Sequence, residues 1–213
     1  MNAIVLYDNA DQIASRLEQL GLNEQVLHEA IRQGHLHRAR LTENHPANFH
    51  GLVMWGDSVA ALRDQTRPMG WIRKDVGSYA LTEHEDLGLA ITVASGDEST
   101  GLWYLQPTNR SKKGRNTVEA VEANHQLQLF DSLPIEQQGG VDDNQTWVLL
   151  HYTDYQLGEI RMELSRPTAI GSDGKISEWS ERIILGSIPL DGDQVEIEPP
   201  SGPDIEITVR RKA

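Results

Sequence analysis

Trp147-Val148-Leu149-Leu150-His151-Tyr152 and Glu159-Ile160-Arg161-Met162-Glu163-Leu164 are two apolar and aromatic runs separated by a short polar turn, Asp154 to Gly158. Runs of this length bounded by turn residues predict two strands that pair through the turn. Downstream, Asp173-Gly174 lies between Thr168 to Ile170 and Ile176 to Trp179, a hairpin signal because Gly accepts the positive φ of a tight turn. Arg182 to Leu185 continues the sheet. Upstream, Trp71 and Ile72, Tyr79 to Leu81, Leu87 to Ala94 and Leu102 to Leu105 read as further strands. Leu89, Ile91 and Val93 alternate with Ala90, Thr92 and Ala94, so both faces of that strand are expected to be buried. Val195 and Ile197, then Ile205, Ile207 and Val209, alternate with polar residues around Pro199 to Pro203 and predict a terminal hairpin.

The first third reads as helices. Asp8 or Asn9 is placed to cap a helix with Ile13, Leu17 and Leu20 on one face, and Gly21 is placed to end it. Asn23 caps a second, with Val26, Leu27, Ala30 and Ile31 as its apolar stripe and Gly34 as its expected end. A third is expected from Asp57 to Thr66, before Pro68. The pattern divides into a helical part, 1–66, and an antiparallel β part, 67–213, interrupted by a polar loop at about 107–145. That interval is long for a structureless connection, and Val118, Val121 and Leu127 allow a short helix within it. The expected class is α+β: a small helical N-terminal part packed on a mainly antiparallel β sandwich or half-open barrel.

With 213 residues the chain is long enough to bury a sizeable core. It has no cysteine, which removes thiol nucleophiles, thiolate metal sites and disulfides together. A formal charge of −13, from 32 acids against 19 bases, repels phosphate backbones, so direct duplex-DNA binding is not expected. The first residues lack a basic segment and a sustained apolar run, and no stretch is long enough to span a membrane, so a cytoplasmic location is expected.

Within the polar interval, Gln126-Leu127-Gln128-Leu129-Phe130 precedes Asp131, Ser132, Leu133 and Pro134. The string resembles the peptide with which bacterial polymerases and mismatch-repair proteins dock on the DNA sliding clamp. The resemblance covers five residues. It implies that Gln126 hydrogen-bonds at one subsite while Leu127, Leu129 and Phe130 enter an apolar pocket, in an extended segment that leaves the parent fold. The alternative use of the three apolar residues is to anchor the loop to the core. Arg110, Lys112, Lys113 and Arg115 lie just before it, either as phosphate contacts beside a clamp or as a solvated loop.

Enzyme motifs are weaker. Gly96 to Gly101 lacks the Gly of a nucleophile elbow and the Lys of a phosphate loop, and reads as a hairpin turn. His84, Glu85 and Asp86, with Asp97 and Glu98, form the carboxylate and histidine set that a metal-dependent hydrolase needs if all five meet. The intervening strand of roughly eight residues, on the order of 25 Å, argues that they lie at opposite ends. His28, His35, His37, His45 and His50 crowd the N-terminal third without the spacing of a zinc site. No cofactor or metal is indicated. The expected function is a non-enzymatic adaptor or regulator that binds a protein partner through Gln126 to Phe130, with the sliding clamp as candidate. A metal-dependent hydrolase and an acidic immunity or masking protein are the alternatives.

Overall fold

The computed structural model describes residues 4–131 and 144–190, with side chains described for 4–128 and 144–190. The chain forms β1 (Val5–Tyr7), α1 (Ala10–Gln19), α2 (Glu24–Ala39), α3 (Ala47–Thr66), β2 (Ile72–Val76), β3 (Tyr79–His84), β4 (Leu89–Ser95), α4 (Arg115–Asp131), β5 (Gln145–Asp154), β6 (Glu159–Ile170) and β7 (Ile176–Pro189). The strands make one open sheet in the order β1-β7-β6-β5-β4-β3-β2. Four of its six pairings are antiparallel; β4 with β5 and β1 with β7 are parallel. The class is α+β, with the helices of the first third packed on a mainly antiparallel sheet.

The helices form where the caps and apolar spacing direct. The Asn9 and Asn23 side chains accept from the backbone N–H groups of Asp11 and Val26, and Ile13 and Leu17, then Val26, Leu27, Ala30 and Ile31, point inward. Two boundaries differ from expectation. Gly34 does not end α2, which runs to Ala39. Its missing side chain instead permits a close crossing with α3: a Cβ there would lie 2.5 Å from the Met54 carbonyl oxygen and against Ser58. The third helix starts ten residues earlier than its apolar pattern suggests, at Ala47.

The core joins both parts of the chain. Leu17, Leu27, Ile31 and Leu62 from the helices meet Trp71, Ile91, Trp147, Leu149, Met162, Leu164 and Ile183 on one face of the sheet. Trp71 lies within this core and donates its indole N–H to the Gly21 carbonyl at 3.2 Å. Arg16 of α1 reaches Glu181 of β7 at 2.5 Å. β4 is buried at every position from Leu89 to Ala94, as its near-continuous apolar run predicts.

The opposite face carries Ala94, Val148, Leu150, Ile176 and Trp179. It also carries Glu163 and Arg182, a buried ion pair at 2.6 Å. Arg182 donates to the carbonyls of Leu102 and Leu105, and Glu163 accepts from the Gly101 N–H at 2.9 Å. Leu102 to Leu105 is therefore not a strand. Both edges of β4 are already taken by β3 and β5, so the following segment has no ladder to join, and arginine satisfies its carbonyls instead. Gly96 to Gly101 is correspondingly a turn that leads away from β4, and Gly101 (φ 75°) packs on Arg161 where a Cβ would lie 2.9 Å from its Cβ. Farther along, Trp179 donates to the Pro107 carbonyl and Asn109 accepts from the Ile176 N–H, stitching the segment to β7.

The polar interval is helical over α4. Asn124, buried in that helix, donates to the carbonyls of Thr146 and Pro167 and accepts from the Thr146 N–H. It stands in for the next rung of the β5–β6 ladder, where Pro167 has no N–H to offer. The expected hairpin from Val195 to Val209 lies outside the described residues.

Replacing Glu163 by Gln leaves the Arg182 charge buried without its counter-ion. Urea denaturation of Glu163→Gln is expected to show a loss of about 3 kcal/mol or more; a loss under about 1 kcal/mol would mean that the pair does not hold this face together.

Candidate functional site

β4 and β5 run parallel, and both end at the same edge of the sheet. Beyond their carboxyl ends lies a cleft of about 800 Å³. Its lining includes Arg38 from the last turn of α2, Gly51 and Met54 from α3, Ser95 and Gly96 at the end of β4, and Asp97, Glu98, Leu102 and Leu105 from the segment that follows. Arg110, His151 to Gln156 and Arg161 complete it. The floor forms because the β4–β5 ladder continues for one residue past β4: Gly96 donates its N–H to the His151 carbonyl at 2.9 Å.

Three basic groups in this cleft are almost wholly buried: Arg38, Arg161 and His151. Arg38 is 9 % exposed, and its guanidinium lies 5.5 Å from the centre of the Tyr155 ring. Among the described residues no carboxylate or carbonyl accepts a hydrogen bond from it. Stacking on tyrosine occupies the face of a guanidinium and leaves its N–H edge available. Arg161, by contrast, is neutralised by Asp154 at 3.3 Å. His151 is 4 % exposed, with Nε2 3.5 Å from the Ser95 hydroxyl and Nδ1 without a partner among the described residues. Burial foremost, then the positive charge of Arg38 and the neighbouring His35, pushes its pKa down to about 4, so the imidazole is neutral at pH 7.

The acids divide by role. Asp154 is consumed by the β5–β6 turn, where one oxygen accepts the N–H groups of Gln156 and Leu157 and the other takes Arg161. Asp97 accepts the Ser99 N–H through one oxygen only. Glu98 is exposed and has no ion-pair partner among the described residues. Tyr152, Tyr155, Leu102 and Leu105 supply apolar surface between the charges.

The sites expected from sequence are placed differently. His84, Glu85 and Asp86 stand before β4, whereas Asp97 and Glu98 stand beyond it, so the strand separates them. Among the described residues no three such side chains are grouped to hold a metal ion, the N-terminal histidines included, although the His45 and His50 rings lie edge-on with centres 6.4 Å apart. His28 bonds the Leu185 carbonyl, His37 pairs with Asp57, and His45 joins the Thr42 turn. Gln126 to Phe130 lies in the last turns of α4, with Gln126 exposed and Leu127 buried at 8 % exposure; the side chains of Leu129 and Phe130 lie outside the described set. Of the four bases, Arg110 borders the cleft, Lys112 and Lys113 lie against the β6–β7 turn at Gly174, and Arg115 pairs with Glu119.

Sequence reasoning missed Arg38, Ser95 and His151. Ending α2 at Gly34 left Arg38 without a structural context. The one available signal was a histidine inside the apolar and aromatic run from Trp147 to Tyr152. No helix among the described residues is long and apolar enough to cross a membrane. Compared with protein-family models, curated proteins and solved structures, the chain matches none.

His151 makes stability depend on pH. In the unfolded chain it takes a proton near 6.5, in the folded chain only near 4. Between those values the unfolded state binds more protons, so stability is complete above about pH 6.5 and declines as pH falls towards 4, by about 3 kcal/mol in all. His151→Asn is expected to flatten the urea-denaturation profile across this window; an unchanged slope would assign the effect to other groups.

Proposed function

We propose that the protein binds a small anionic molecule in the cleft at the carboxyl ends of β4 and β5. The observation that carries this reading is Arg38: a guanidinium nine-tenths buried, lining an open cleft, with no counter-ion among the described residues. A buried unpaired charge costs several kcal/mol unless something compensates it. Stacking on Tyr155 and water in the cleft offset part of that, and an anion would offset more. The surroundings support the same reading. His151 is held neutral, so the cleft contains a hydrogen-bonding imidazole beside Ser95, and the volume lies in the range of small-molecule sites. A chain of charge −13 opposes highly charged anions, which favours a carboxylate over a phosphate ester.

Calorimetric and NMR titration of the whole protein with benzoate, acetate and inorganic phosphate tests the reading. Benzoate is expected to perturb the Arg38 and His151 resonances. Arg38→Gln is expected to weaken that binding about ten- to hundredfold, the loss of a charge-assisted hydrogen bond. Equal affinity in Arg38→Gln, or no saturable binding of any anion, would overturn it.

A second reading is docking of a protein partner through Gln126 to Phe130, with the DNA sliding clamp as candidate. The exposed Gln126 near the end of α4 supports it. Docking as an extended peptide requires the last turns of α4 to unwind and the buried Leu127 to leave its packing. A free peptide spanning His125 to Pro134 is therefore expected to bind a bacterial clamp more tightly than the whole protein does, with Phe130→Ala abolishing binding. Calorimetry showing no binding of the peptide at high micromolar concentration would remove this reading.

A further inference from the structure

We infer that the anion accepted by the cleft is the carboxylate of a zwitterion with separated charges, and that a short peptide with both termini free is its ligand class. The inference rests on the anion-binding reading of Arg38 and extends it to the rest of the cleft.

The cleft is not uniformly basic. Arg38 enters it from the helical layer, on one side of the sheet. Asp97 and Glu98 enter it from the segment after β4, which continues onto the opposite side, where Gly101, Leu102 and Leu105 are held by Glu163 and Arg182. The two acids retain acceptor capacity. One oxygen of Asp97 is engaged by the Ser99 N–H, while Glu98 has no ion pair among the described residues. Against these two acids the same segment sets one further base, Arg110, so a simple monocarboxylate would neutralise Arg38 and still leave one negative charge on this wall uncompensated. A molecule with carboxylate at one end and ammonium at the other satisfies both walls and adds no net charge to an already acidic protein.

The body between the charges is also specified. Leu102, Leu105, Tyr152 and Tyr155 give the cleft apolar surface, so the ligand should carry apolar side chains. Because the two charged walls come from opposite sides of the sheet, charges on a single carbon, as in a free amino acid, fit less well than termini separated by one or more peptide bonds. A peptide terminus supplies the fixed carboxylate that an arginine edge recognises in a paired manner.

The test is calorimetry of the whole protein with trileucine, N-acetyl-trileucine, trileucine amide and free leucine. Trileucine is expected to bind most tightly. Acetylation and amidation are each expected to weaken it about ten- to hundredfold. Arg38→Gln should abolish the penalty of amidation while keeping that of acetylation, and the Asp97→Asn, Glu98→Gln double variant should do the reverse. That crossed pattern is one that general destabilisation would not produce. Equal binding of free and acetylated peptide overturns the zwitterion inference but leaves anion binding intact. Tighter binding of leucine than of trileucine overturns the assignment to peptides. If trileucine amide binds as well as trileucine and Arg38→Gln changes nothing, the carboxylate reading of Arg38 falls as well.

Discussion

Glu163 and Arg182 face each other across β6 and β7 with almost no access to water, and much of the structure on that side of the sheet follows from them. A charge pair so placed is tolerable only when its remaining donors and acceptors are satisfied. The Ser165 hydroxyl and the Gly101 N–H complete the glutamate, and the carbonyls of Leu102 and Leu105 complete the arginine. The segment after β4 is thereby drawn across the sheet without forming a strand. Its course fixes one wall of the cleft, including Asp97 and Glu98.

The other wall depends on helix packing. Gly34 lets α2 approach α3 closely, and the helix then continues past that crossing to place Arg38 over Tyr155 at the sheet edge. Had α2 stopped at Gly34, the cleft would lack Arg38, the buried cation without an ion pair among the described residues. The floor comes from the parallel pairing of β4 with β5, which brings Ser95 and His151 together though they are far apart in sequence. Three separate packing decisions thus converge on one opening. The electrostatic state of the opening follows from them, since burial and the Arg38 charge together hold His151 neutral.

Local signals accounted for most elements. The asparagine caps, the 3.6-residue apolar stripes of α1 and α2, the near-continuous apolar run of β4 and the two hairpin turns of β5 to β7 all reside within a few residues of one another, so nearest-neighbour physics reveals them. Leu102 to Leu105 misled because an apolar and aromatic run looks the same whether a neighbouring strand is free to receive it or not. α4 was legible only as an allowance for a short helix, since the helix depends on Asn124 bridging Thr146 and Pro167, two residues that only the folded sheet places side by side. Of the candidate site, the acids Asp97 and Glu98 and the base Arg110 stood out as charges near a turn. Their companions did not.

The sequence by itself determined the α+β class, the helical first third, the strand segments around the Asp154 and Asp173 turns, the absence of thiol chemistry and the strongly acidic field, because each is a property of composition or short-range spacing. Only the tertiary structure decided that β4 pairs in parallel with β5, that an arginine rather than a strand receives the segment after β4, and that Arg38, Ser95, Asp97 and His151 share one cleft. Those outcomes depend on which edges are already occupied and how closely two helices can cross, and both are settled by contacts between residues distant in sequence.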